Sequence, residues 1–252
     1  TYMRERTRDE LPQSGSGKTI MTAEPKFVPE NAISVKIDNS TELSVRLIDC
    51  VGYMVDGAGG QYEDGTERMV TTPWFDYEVS LTEAAEKGTY KVISEHSTIG
   101  LVVTTDGSIC EIPRENYVAA EERVISELKS IDKPFVLLLN CRDPEDVHSI
   151  QLASELSEKY KVQCLPISCL NLNKEDIQKI LTAILDEFPL KSIGVFLPEW
   201  LDSLNDNCTL KKEIYDSIKT ASEGLCKIKD TAVLLQKTSE MDNVSGAKVC
   251  RK

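Results

Sequence analysis

The sequence predicts an α/β fold: a three-layer sandwich in which helices cover both faces of an open, mostly parallel sheet, followed by the start of a helical domain. Three observations predict it. Short apolar runs at 99–103 and 134–139 have the character of strands buried on both faces, and 162–167 reads as a further strand. Amphipathic stretches of helical period separate these runs. Each run ends in small polar or charged residues, at the edge where open parallel sheets take their ligands.

Residues 1–10 are highly charged and read as the end of a helix stopped by Pro12. Gln13-Ser14-Gly15-Ser16-Gly17-Lys18-Thr19 looks like a phosphate loop, but the pattern G-x-x-x-x-G-K-[ST] needs glycine where Pro12 stands. A charged segment rather than a strand also precedes it, so a Gly/Ser loop is expected. Short strands follow at 26–28 and 32–37. With the alternating run 43–48 they make an antiparallel pair across the polar turn 38–41.

The second of these strands ends in Asp49-Cys50-Val51-Gly52, a D-x-x-G pattern. One reading is a strand ending in a common Asp-containing turn. The other is half of a magnesium–phosphate site: Asp49 would hold the hard cation through water, and Gly52 would let a backbone N–H approach the terminal phosphate. Thr22, in the loop before the strand pair, is either an ordinary loop threonine or a direct hydroxyl ligand of the same cation. Residues 53–80 are Gly-rich and aromatic, too long for a simple turn, and read as a functional loop with an insertion.

Beyond it the alternation sets in. A helix is expected over 81–95 with Thr82 as N-cap, then a strand at 99–103 ending near Asp106, and a helix over 116–131 whose Asn116 faces solvent. A strand at 134–139, a helix over 146–160, a strand at 162–167 and a helix over 174–188 complete the series. Asn140-Cys141-Arg142-Asp143 has the form N-x-x-D at a strand end. It is either a turn, as Pro144 favours, or a base-reading loop in which the Asp143 carboxylate accepts from the ring. Ser168-Cys169, after the next strand, falls where such folds place a small loop over the base. After Pro189 a short strand at 193–197 is broken by Pro198. A long helix then spans 210–235, and the tail 242–252 carries no structural signal. The expected division is 1–195 for the α/β domain and 196–252 for the start of a helical one.

Composition narrows the function classes. The 252 residues are 40% hydrophobic and 28% charged, and the net charge is −13. That charge disfavours nonspecific nucleic-acid binding and direct adhesion to an anionic membrane. No apolar run approaches the length of a membrane span. Eight scattered cysteines without a C-x-x-C pair, and only two histidines, argue against a zinc site and fit a reducing, cytosolic compartment. The chain begins at Thr1 rather than Met, and a preceding segment is expected.

Several runs carry a resemblance to a known family. Asp9-Glu10-Leu11-Pro12-Gln13-Ser14, Gly17-Lys18-Thr19-Ile20-Met21-Thr22 and Glu24-Pro25-Lys26-Phe27-Val28-Pro29 resemble the stage IV sporulation protein A family. So do Asp49-Cys50-Val51-Gly52-Tyr53, Glu95-His96-Ser97-Thr98-Ile99-Gly100 and Thr104-Thr105-Asp106-Gly107, and the similarity runs over about residues 4–235. The resemblance implies a GTPase-like P-loop NTPase fold that uses ATP and Mg²⁺. It implies hydrolysis that drives self-assembly of a spore-coat basement layer on the outer forespore membrane, in the mother-cell cytoplasm. A short amphipathic membrane-anchor peptide would recruit the protein, and other coat and cortex proteins would dock on it.

Carried onto this chain, the resemblance makes Asp49 the Walker B aspartate and Thr22 the first of two adjacent sensor threonines. Ala23 stands where the second is expected. It puts Asp49 and Thr22 at the metal and the chemistry, and Gly52, Asn140, Asp143 and Ser168 around the nucleotide. The Walker A loop of the family precedes the position of Thr1. Asp143 is unusual for an ATP user, because a carboxylate there favours guanine. Two other readings stand beside the ATPase: a structural or docking module that binds no nucleotide, and a GTP-dependent switch.

Overall fold

The chain runs from an antiparallel hairpin, through a small insertion, into three strand–helix repeats. The computed structural model describes residues 27–37, 41–48, 50, 52–59, 61–63, 65–71, 75–240, 244 and 246–247. The hairpin is β1 (Phe27–Lys36) and β2 (Glu42–Ile48), with a bulge between Val28 and Ile33. The insertion holds two short antiparallel pairs, β3 (Tyr62–Glu63) with β4 (Thr66–Glu67), and β5 (Met69–Val70) with β6 (Val79–Ser80). They account for part of the stretch expected as irregular loop.

Helix α1 (Leu81–Lys91) follows at once. Its N-cap is Ser80, whose Oγ accepts from the Glu83 N–H at 3.2 Å, and not Thr82 as expected. The strand β6 runs straight into the helix, which moves the cap two residues back. At its end the helix widens into one π-helical turn, Val92–His96, closed by Ser97 N–H on Val92 O. Val79, Ala84 and Ala85 form a small core there with Met54, Val70, Phe75 and Leu81 packed on it.

The repeats are β7 (Gly100–Thr105), α2 (Glu115–Ser130), β8 (Phe135–Asn140), α3 (Val147–Tyr160), β9 (Cys164–Ile167) and α4 (Lys174–Asp186). The three strands form a parallel sheet in the order β7-β8-β9. Side chains alternate across a strand, so the apolar run of β8 feeds two cores. Phe135, Leu137 and Leu139 join Ile125 and Leu128 of α2 and Ala153, Leu156 and Tyr160 of α3 on one face. Val136 and Leu138 join Ile167 and, from α4, Ile180 and Ala183 on the other. Each fully buried large aliphatic side chain here contributes about 1.5–3 kcal/mol. Burial also pushes the Cys164 thiol up to about 12. Among the described residues the second face thins out under β7, where Leu101 and Val103 remain 40% and 54% exposed.

Beyond α4 the chain turns helical, with α5 (Glu199–Asp202), α6 (Thr209–Ser222) and α7 (Thr231–Ser239). The strand expected at 193–197 does not form. The single helix expected over 210–235 is two. Glu223 is extended and Gly224 sits at φ +79°, a left-handed conformation that stops α6, and a 3-10 turn at Ile228–Asp230 starts α7.

Candidate functional site

The register Thr105↔Asn140 and Asn140↔Ile167 brings the three parallel strands to a common carboxyl edge. The loops leaving that edge are laced together. Asp106 Oδ1 accepts from the Ser108 N–H at 2.8 Å and the Ser108 hydroxyl at 2.6 Å, and its Oδ2 accepts from Ser149 of α3 at 3.5 Å. Ser108 in turn accepts from Arg142: the Arg142 N–H reaches its Oγ, and the guanidinium Nη2 reaches its carbonyl, both at 2.9 Å. Gly107 makes the turn possible at φ +89°, where an added Cβ would meet the Arg114 backbone nitrogen at 3.1 Å. Asp106 stood out in the sequence as a strand-end residue. The parts played by Ser108, Ser149 and Arg142 did not, although Asp-Gly-Ser is the composition of an Asx turn.

Three of the expected site residues meet at this edge. Asn140 Oδ1 accepts from the Cys169 N–H at 3.0 Å, tying the end of β8 to the loop after β9. Its amide nitrogen, a donor, has no partner among the described residues. Ser168 is buried, its Oγ accepting from Asn171 Nδ2 at 3.4 Å, and it opens the 3-10 turn Cys169–Asn171. Asp143 is exposed, and its Oδ1 accepts from the Glu145 N–H at 3.0 Å. The N-x-x-D stretch is thus a turn leading to Asp146, which caps α3 by accepting from the His148 N–H at 3.0 Å. The turn leaves the second Asp143 carboxylate oxygen without a partner among the described residues, so the turn and base-reading accounts are compatible.

Cys141 fills the position between them. It is fully buried, with its N–H on Ile167 O at 2.9 Å and its thiol donating to the same oxygen at 3.5 Å. Burial, with Asp106 and Asp143 nearby, pushes that thiol above its ordinary value and keeps it neutral. No cation projects from this position over the edge.

Gly52 is held by α1 rather than by these loops. It is left-handed at φ +80°, with nothing within 4 Å of an added Cβ, and its N–H donates to Thr89 Oγ1 of α1 at 3.1 Å. Asp49 and Thr22 lie outside the described residues. Among the described residues no group of three or more metal-ligating side chains occurs, and no helix is long and apolar enough to cross a membrane.

A nucleotide fits the donor set as far as it is described. A base at the carboxyl edge would find an amide donor on Asn140 and a carboxylate acceptor on Asp143, framed by the Ser168–Cys169 loop. The Gly52 N–H expected at a terminal phosphate is held by Thr89 Oγ1. The two residues expected to carry the metal are those outside the described set.

A family model described as "Stage IV sporulation protein A, ATPase domain" matches residues 1–189, and one described as "Stage IV sporulation protein A, middle domain" matches residues 190–251. The chain is 47% identical over 241 residues to stage IV sporulation protein A of Clostridioides difficile (strain 630), covering 96% of this chain and 49% of that protein. It is 42% identical over 244 residues to the proteins of that name from Bacillus anthracis and Bacillus subtilis (strain 168), covering 97% of this chain and 50% of each. The chain therefore spans about half the length of the curated relatives it matches. No solved structure matches it. With one ATPase-domain model spanning three quarters of its length, the chain belongs to the stage IV sporulation protein A family.

Proposed function

We propose that this chain forms the nucleotide-hydrolysing part of a protein that spends ATP on its own assembly into the basement layer of a spore coat. The match of residues 1–189 to the ATPase domain carries the reading. The laced carboxyl edge, with Asn140, Asp143 and Ser168 in the loops that leave β8 and β9, supports it from the structure.

In this reading Asp49 and Thr22 would hold Mg²⁺, which would neutralise charge on the phosphates. Gly52 would turn its N–H, held by Thr89 Oγ1 in this structure, to the terminal phosphate. Catalysis is then mostly charge neutralisation and the positioning of an attacking water, as in other phosphoryl transfers. Thr22 connects hydrolysis to assembly. Other copies of the chain, an amphipathic membrane-anchor peptide and further coat and cortex proteins are its partners, at the forespore surface in the mother-cell cytoplasm.

Asp143 favours a second reading, a GTP-dependent switch, because its carboxylate can accept from the guanine ring N–H and exocyclic amine. Equilibrium titration of the full-length protein with fluorescent ATP and GTP in the presence of Mg²⁺ separates the two. The proposal expects ATP to bind at least ten-fold more tightly than GTP. Tight GTP binding without ATP binding would replace it with the switch, and binding of neither would leave a docking module.

A further inference from the structure

The loop that follows the D-x-x-G pattern is fastened at several points, and one of them occupies the group the chemistry needs. Gly52 N–H donates to the Thr89 hydroxyl, which is 2% exposed on the inner face of α1. Met54 packs on the small core around Ala84 and Ala85 of the same helix. Tyr53 places its ring 4.7 Å from the Arg123 guanidinium of α2 and donates its hydroxyl to Glu127. Arg123 is itself held by both oxygens of Glu86 on α1. Asn116 of α2 donates to Asp56 O at 2.9 Å. Residues 52–56 are thus pinned to α1 and to α2.

An N–H has one hydrogen. The Gly52 donor cannot serve the Thr89 hydroxyl and a phosphate oxygen with good geometry at once. The geometry points to Thr89 as a positioning residue: its hydroxyl holds the Gly52 N–H as a stand-in for the terminal phosphate, so that triphosphate binding requires an exchange of acceptor and a release of residues 52–56 from α1. The inference rests on the ATPase reading of Gly52.

The exchange has a physical driving force in each direction. A phosphate oxygen is a charged acceptor, and such hydrogen bonds are roughly twice as strong as neutral ones. A triphosphate therefore draws the N–H away from the hydroxyl. Loss of the terminal phosphate removes the competitor, and the N–H returns to Thr89. The vacated hydroxyl is not stranded, since a helical threonine can donate to the carbonyl four residues earlier, here Ala85. Valine at this position would keep the shape and remove the acceptor.

The test measures binding of a nonhydrolysable ATP analogue and of ADP to the full-length protein, comparing wild type, Thr89→Val and Thr89→Ser. Thr89→Val should bind the ATP analogue roughly 3- to 10-fold more tightly, the size of one net hydrogen bond, with ADP affinity unchanged. Thr89→Ser, which restores an acceptor, should return to wild type. Tyr53→Phe, which loosens the same loop at a more accessible tie, should shift the ratio in the same direction and covers the case in which Thr89→Val does not fold. An unchanged ratio in both Thr89→Val and Tyr53→Phe, or an equal shift for ATP analogue and ADP, overturns the latch while leaving the ATPase intact. Failure of the wild type to bind either nucleotide overturns both.

Discussion

Glu121 is a carboxylate on α2 with almost no access to water, and two groups keep it there. Arg114 Nη2 reaches one oxygen at 2.6 Å, and the Tyr160 hydroxyl reaches the other at 2.7 Å. Arg114 also donates to Thr104 at 3.4 Å, so the cluster pins the carboxyl end of β7 to α2 and α3 just below the candidate site. Burial, helped by the bond to Glu121, pushes the Tyr160 phenol up to about 12. Removing one partner of a buried pair leaves the other charge uncompensated. Glu121→Ala should therefore cost about 3 kcal/mol in urea denaturation. A loss below about 1 kcal/mol would show that water replaces the carboxylate. The sequence placed Asp106, Asn140, Asp143 and Ser168 at strand ends correctly, because a strand end and a polar residue are both local signals. It did not reveal Thr89 or Arg123, whose partners are 37 residues away. Asn116, expected on a solvated helix face, is instead bonded to Asp56 O across 60 residues. Nothing near these residues announces such partners.

At the scale of elements, the strands and helices of the repeats were legible because the central strand β8 is covered on both faces, although Leu101 and Val103 of β7 are exposed on one. An apolar run such as Phe135–Leu139 has no other use, and the helices against it keep their 3.6-residue period. The expectations failed where local chemistry outweighed periodicity. Apolar spacing continues from Ile214 to Ile228, but Gly224 takes a left-handed backbone and divides the helix. The run at 193–197 is apolar enough for a strand, but it has no neighbouring strand among the described residues to pair with. Helix α4 shows local chemistry and packing in agreement. Asn173 Oδ1 accepts from the Asp176 N–H at 2.8 Å while Asp176 Oδ2 accepts from the Asn173 N–H at 3.3 Å, a reciprocal cap. Asn173→Ala should cost about 1 kcal/mol and lower the thermal midpoint by a few degrees. Because α4 begins directly after the Ser168–Cys169 loop, the loss should also raise hydrogen exchange at Cys169–Asn171. An unchanged midpoint would mean that packing of Ile180 and Ala183 alone fixes the helix.

Over the whole molecule, the two matched domains meet at a built joint. Phe188 O accepts from the Ile228 N–H across the boundary at 3.0 Å, and just beyond it the Leu190 N–H donates to Cys226 O at 2.8 Å. Glu187, 1% exposed at the end of α4, takes Lys227 at 2.6 Å and Lys229 at 2.8 Å. Helix α4 also donates from Gln178 to Ile37 O of the hairpin at 2.6 Å, so one helix holds both the segment leading to Asp49 and the start of the second domain. Glu187→Ala should loosen that joint and turn one cooperative thermal transition into two, read by calorimetry; a single unshifted transition would show that the backbone pairing suffices. The central claim is that this fold hydrolyses ATP through a metal held at Asp49. Steady-state ATP turnover of the full-length protein against its Asp49→Ala variant tests it most directly. The account predicts a loss of at least about 100-fold in kcat with the fold retained, since charge neutralisation at the phosphates is most of the catalysis. Equal turnover by the two proteins would contradict it.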